Sequence, residues 1–225
     1  MAADNKRFTD HAHSPQGLSP IFGVFDAPPM PVEAAVAAAA PALLPILDAL
    51  LYTSKQNLKQ AGVKAALARD AARGMTPDHA RALYLYTADS PLYQELNGTL
   101  REQDRTKLRP CFGYLRLLLD ALDALPKAPG PRVLNRGVPL GLVAMYPDEH
   151  VVGEGMVWWG FSSTTSRADV LKDPTFLGTD GARTLFQITT RGGACVTEYS
   201  AIPKESEVSS PVLNCPFNCR AFQFN

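Results

Sequence analysis

A chain of 225 residues, 46% of them hydrophobic, is long enough to bury a sizeable core as one large domain or as a domain with an extra lobe. Its 22 basic and 22 acidic side chains cancel. That balance lacks the basic footprint of a nucleic-acid-binding protein, though it leaves room for a local pocket that takes a single phosphate group.

The first 32 residues hold five of the 19 prolines and read as an extended arm. The opening MAADNKRFTDHAHSP is polar with no apolar run behind it, so it does not read as a secretory signal. The expected compartment is the cytoplasm, with secretion left open. The apolar run Ala34 to Leu51 is broken by Pro41 and Pro45 and carries Asp48. It falls short of the roughly 20 apolar residues a membrane span needs and reads as buried helix. No membrane partner is expected.

Residues 33 to 130 are rich in Ala and Leu and read as a helical lobe. Thr76, Pro77 and Asp78 supply an N-cap, a first-position proline and a first-turn acid. Ser90-Pro91 repeats the signal ahead of PLYQELNGTLRE. In GYLRLLLDALDAL, Leu115, Leu118, Leu119, Leu122 and Leu125 recur at helical spacing, with Arg116, Asp120 and Asp123 on the other face. PKAPGPR, Pro126 to Arg132, breaks the pattern.

Residues 131 to 225 read as strands and loops. The candidate strands are RVLNRGV, GMVWWGFSSTT, RTLFQITT, ACVTEYSAI, SEVSSPV and CRAFQFN, divided by turn-forming residues. No helices alternate with them, which argues against a parallel doubly wound sheet. Neither G-x-G-x-x-G nor a P-loop is present, so a nucleotide would bind by another route. Cys111, Cys195, Cys215 and Cys219 are too few to staple the chain, although a disulfide between two of them stays open. The C-x3-C of Cys215 and Cys219 lacks nearby partners for a zinc site, His11, His13, His79 and His150 show no ligand spacing, and no metal is expected.

Three features of this half carry chemistry. Arg136 stands before Gly137 at the end of an apolar strand. A guanidinium there can grip a phosphate, and the glycine lets a ligand approach the backbone. Ser162 to Ser166 form a run of hydroxyl residues after the aromatic Trp158-Trp159. Glu205 and Glu207 are spaced i, i+2, so in a strand they share a face, a costly arrangement unless positive charge meets it.

The order of these features resembles the arginine-specific mono-ADP-ribosyltransferases, the cholera-toxin-like class marked by Arg, Ser and Glu. The likeness runs from Ala82 to Phe224, through YLYTADSPLYQELNGTLR, LNRGVP, GFSSTT and YSAIPKESEV. Residues 1 to 75 carry no motif of the family. The resemblance implies an α+β ADP-ribosyltransferase fold, with an N-terminal helical lobe on a split two-sheet β core and NAD as co-substrate. It implies that Arg136 grips the NAD phosphates and that the Gly137 backbone holds the nicotinamide amide. Ser163 would be the motif serine, with Thr164 and Thr165 following where the family has Thr-Ser. Glu207 would be the catalytic glutamate, and Glu205 the upstream carboxylate that favours arginine acceptors. Phe176 is the candidate aromatic over the nicotinamide. The implied partner is a protein with an exposed arginine. An NAD glycohydrolase and a catalytically silent NAD- or peptide-binding module are the alternatives.

Overall fold

The computed structural model describes residues 21, 23–102, 104–127, 132–145, 160–167, 169–174, 176–190, 193–203, 207–210 and 218–224. Two compact units emerge. One comprises His13–Pro126 together with Cys195–Lys204; the other includes Lys127–Ala194 and Glu205–Asn225.

The first unit is helical: α1 (Val32–Ala39), α2 (Leu44–Asn57), α3 (Ala61–Asp70), α4 (Pro77–Thr87), α5 (Pro91–Arg101) and α6 (Phe112–Ala124). The cap signals act as the sequence predicts. Thr76 Oγ1 accepts from the His79 N–H at 3.2 Å, and His79 Nδ1 accepts from the Thr76 N–H at 3.3 Å, a reciprocal capping box at the start of α4. The Ser90 hydroxyl accepts from the Leu92 N–H at the start of α5. Helix α6 is the centre of the core. Leu115, Leu118, Leu122 and Leu125 are buried, and the fully buried Tyr114 donates its hydroxyl proton to the Ala82 carbonyl at 3.0 Å.

The apolar run 34–51 is two helices rather than one. Val32–Ala39 and Pro41–Asn57 bend by 106°, with proline at the break, and among the described residues no single helix is long and apolar enough to cross a membrane.

The described part of the proline-rich N-terminus is packed rather than extended. Val24–Asp26 form a 3₁₀ turn with Val24 fully buried, and Arg116 Nη1 of α6 donates to the carbonyls of Phe25 (2.7 Å) and Ala27 (2.5 Å). Met30 packs against Gly113, where an added Cβ would stand 2.5 Å from the methionine sulfur. The missing side chain makes the approach possible.

The second unit is built on β1 (Arg132–Val138), β2 (Ser162–Thr165), β3 (Arg183–Thr190), β4 (Ala194–Cys195), β5 (Glu207–Ser210) and β6 (Asn218–Phe224), with the short helix α7 (Leu142–Met145) after β1. The described strands form one sheet of order β4-β5-β2-β1-β3-β6. Its two halves join narrowly. β1 pairs with β3 from Arg132↔Thr190 to Val138↔Thr184, whereas β1 and β2 meet at Asn135↔Thr165. The resemblance implies a split two-sheet core; the described strands form one sheet, narrowest between β1 and β2. Along β1, Leu134, Arg136 and Val138 are buried, and Phe186 and Ile188 of β3 are buried with them.

Two strand expectations fail in part. ACVTEYSAI is a strand only at Ala194–Cys195. It then turns through Thr197–Tyr199, with the Tyr199 N–H donating to the Val196 carbonyl at 2.9 Å. Of GMVWWGFSSTT, the described strand is Ser162–Thr165, and Trp158 and Trp159 lie outside the described residues.

Candidate functional site

The register of the sheet connects positions far apart in the chain. Glu207 of β5 stands opposite Thr165 of β2, which stands opposite Asn135 of β1. The same rung continues through Gln187 of β3 to Arg220 of β6. Ser163 lies two residues from Thr165 and opposite Ser209, one diagonal step from Glu207 in the ladder. Arg136 and Gly137 follow Asn135 directly, where the ladder between β1 and β2 does not continue among the described residues.

Arg136 is buried, only 9% exposed, inside an otherwise apolar row. A guanidinium there acts through a medium of low effective dielectric, so its field on a nearby anion is stronger than at a solvated surface. Thr164 and Thr165 are also buried. Glu205 lies outside the described residues.

Gly137 meets a second element. A Cβ placed on it would come within 2.5 Å of Leu177 Cβ and 2.9 Å of the Leu177 backbone nitrogen, so only glycine fits. Leu177 belongs to a loop closed on itself: the N–H groups of Leu177 and Gly178 both donate to the Leu171 carbonyl, at 3.2 and 3.1 Å, and Leu171 is buried. Phe176, half-buried, therefore adjoins the residue seated on Gly137. Beyond β1, Thr184 holds the chain: its hydroxyl donates to the Leu140 carbonyl at 2.7 Å and accepts from the Leu142 N–H at 2.9 Å. Thr184 and Leu177 both fix the backbone around Gly137. Sequence reading missed Thr184, a plain strand threonine with no motif around it.

Among the described residues there is no group of three or more His, Cys, Asp or Glu that could hold a metal ion. Cys111 is buried and Cys195 exposed, both as free thiols; burial pushes the Cys111 thiol up to about 11.

A buried arginine followed by an obligatory glycine, beside a hydroxyl-rich strand in register with a glutamate, suits a ligand that carries phosphate at one end and a developing cation at the other. The model of the family "NAD:arginine ADP-ribosyltransferase" matches residues 48–222. No curated protein matches the chain. Among solved structures the chain is similar to the ADP-ribosyltransferase HopU1 of Pseudomonas syringae pv. Tomato DC3000, with 25% identity, 69% of this chain and 74% of that one covered, and a TM-score of 0.53. It shares the fold of a mutant of the eucaryotic mono-ADP-ribosyltransferase ART2.2 in complex with NADH, with 21% identity, 73% and 75% of the chains covered, and a TM-score of 0.50. With the family model spanning most of its length, the chain belongs to the NAD:arginine ADP-ribosyltransferase family, whose reaction is mono-ADP-ribosyl transfer from NAD as co-substrate.

Proposed function

We propose that this protein transfers ADP-ribose from NAD to arginine side chains of a target protein, releasing nicotinamide. The observation that supports the reading is the rung Glu207–Thr165–Asn135, which aligns Glu207, across β2, with the residue that precedes Arg136 and Gly137.

Arg136 neutralises the diphosphate, and the Gly137 backbone receives the nicotinamide amide, with Phe176 as the aromatic cover. The bond between nicotinamide nitrogen and ribose C1′ breaks with its electron pair leaving on the nitrogen, so positive charge develops on the ribose. Glu207 stabilises that charge and accepts a hydrogen bond from the ribose 2′-hydroxyl. Ser163, with Thr164 and Thr165 along the same strand, orients it.

The acceptor guanidinium is a cation and a poor nucleophile. Glu205 draws off its proton as its nitrogen bonds to C1′, which gives the upstream carboxylate a purpose that water as acceptor does not require. The E-x-E pair is then met by two positive charges, one on the ribose and one on the acceptor.

The test is Glu205→Gln, assayed with NAD and agmatine as a small guanidino acceptor. The variant is expected to keep releasing nicotinamide by hydrolysis while losing ADP-ribosyl-agmatine. Equal loss of both activities would overturn this division of labour.

A further inference from the structure

Helix α2 (Leu44–Asn57) is apolar on two sides. Leu47, Leu51 and Ser54 are buried inside the helical unit. Pro45, Ile46, Ala49, Tyr52 and Thr53 are exposed. At 3.6 residues per turn these five fall within a stripe roughly 120° wide, centred on Ala49 and opposite the buried side. Ile46 is 57% and Tyr52 66% exposed. The Thr53 hydroxyl donates to the Ala49 carbonyl at 2.8 Å, so its polar atom is already satisfied within the helix. A second apolar stripe on the outside of a helix favours removal from water, as the inner one does.

Charge borders one edge of this stripe. Asp48 and Lys55, both exposed, are seven residues apart, so they nearly superimpose in helical projection and flank Tyr52. The other edge carries Leu50 and Asn57, both half-buried. Glu33, whose carboxylate also feels Lys55, is bridged to Arg81 at 2.6 Å. When two copies of one helix meet antiparallel about a twofold axis, like edges face each other and positions run in opposite order. With the axis beside Tyr52, Asp48 of each copy meets Lys55 of the other, and the two Tyr52 rings meet between the ion pairs. The small side chain of Ala49 lets the backbones approach. The face is therefore complementary to itself in charge as well as in apolarity. A lipid surface fits it less well, because a helix lying in a membrane interface carries basic residues along its polar face and an acid stands beside this stripe.

We propose that the outer face of α2 is the contact between two copies of this chain, an isologous antiparallel pair of α2 helices with Tyr52 at the twofold axis. The contact does not depend on the transfer reaction. The 14 residues of α2 span only about 21 Å, so the interface is a small one and the dimer is expected to dissociate in the range of tens of micromolar.

Sedimentation equilibrium of the full chain, from about 1 to about 500 μM, tests it in the wild type, Asp48→Lys, Lys55→Asp, the Asp48→Lys/Lys55→Asp double variant and Ile46→Glu. All three positions are exposed, and thermal melts check that each variant is folded. The wild type is expected to pass from monomer to dimer. A single charge reversal turns two attractions into two repulsions in a twofold contact, and is expected to raise the dissociation constant about tenfold. The double variant restores the wild-type value. Ile46→Glu leaves monomer alone. A wild type that stays monomeric over the whole range would overturn the proposal, and so would a dimer that persists unchanged in Ile46→Glu. Single reversals that weaken the dimer without rescue in the double variant would overturn the antiparallel pairing. A monomeric wild type that sediments with phosphatidylcholine–phosphatidylserine vesicles, while Ile46→Glu does not, would overturn it too and assign the face to a lipid surface.

Discussion

Two stretches that adjoin in the chain, 195–203 and 207–210, are held by different physics. The first is tied to helices by a buried carboxylate, a buried phenol and a threonine hydroxyl. The second is held by backbone register in a sheet. Hydrogen bonds from side chains fix a point, and a change of one atom releases it. A ladder fixes a line, and a single side-chain change leaves it in place. Glu207 belongs to the ladder, so substitutions there and in the anchored segment should have separable effects.

The largest effect is expected at Glu207. Glu207→Gln preserves the backbone ladder and removes the charge. NAD cleavage and transfer should both fall by on the order of 10²–10³-fold, the scale seen when one electrostatic stabiliser of a transition state is removed. Nicotinamide release by the purified variant measures it, with an unchanged melt showing that the sheet is intact.

Asp70→Ala attacks the other regime. Burial pushes the Asp70 carboxyl up, but its hydrogen bonds from Arg69 and Tyr199 and the adjacent Arg73 hold it below the ordinary range. Burial, then the Asp70 hydrogen bond, raise Tyr199 above its ordinary value, so the phenol stays protonated as the donor. Removing the carboxylate strands that buried donor and should cost about 3 kcal/mol in denaturant unfolding. The sign in pH follows. A depressed carboxyl contributes stability above the ordinary aspartate range, and the contribution is lost as the pH falls below about 4. Acid unfolding should therefore be shallower in Asp70→Ala than in the wild type.

A smaller effect is expected at the α4 cap. Thr76→Ala should cost about 1 kcal/mol. His79, its partner, is held below the ordinary histidine value by burial, against the pull of Asp120 and Asp78. Protonation then favours the unfolded chain, so the cap's contribution is complete above about pH 7 and declines as the pH drops through about 6.5. Glutamine can serve at this capping position without titrating. The difference in melting temperature between wild type and His79→Gln, taken at pH 7.5 and at pH 5.5, isolates the effect. The wild type should lose more on acidification.

The slightest perturbation is a chemical label. Alkylation at pH 8 should reach the exposed Cys195 and spare Cys111, whose buried thiol is pushed up to about 11, until the chain unfolds. Peptide mapping of the labelled protein distinguishes them. Labelling of Cys111 in the folded state would mean that the packing of the helical unit at α6 is looser than described.

Much of the helical unit was legible because its signals are local. Thr76-Pro77, Ser90-Pro91 and the leucine stripe of α6 each act within a few residues of themselves. Strands β1 and β3 have the ends the sequence predicts, since breakers flank RVLNRGV and turn residues precede RTLFQITT. What escaped depends on partners distant in the chain. ACVTEYSAI has the composition of a strand, but Tyr199 finds a carboxylate 129 residues away and the segment turns to reach it. The packing of Val24 to Met30 against α6 was signalled only by Gly113, a small residue in a helix otherwise rich in leucine. For the candidate site, the glycine at position 137 reads in the sequence as room for a ligand, whereas the structure seats Leu177 against it. The rung that aligns Asn135, Thr165 and Glu207 was not readable, because register is a relation among three strands that no one of them encodes.

The central claim is arginine transfer from NAD by the Glu205–Glu207 pair. It is tested most directly by NAD turnover of the purified chain with and without agmatine, beside Glu207→Gln. The expected result is nicotinamide release that rises with agmatine, yields ADP-ribosyl-agmatine and falls by on the order of 10²–10³-fold in the variant. Nicotinamide release with no adduct at any agmatine concentration would contradict it and identify water as the acceptor.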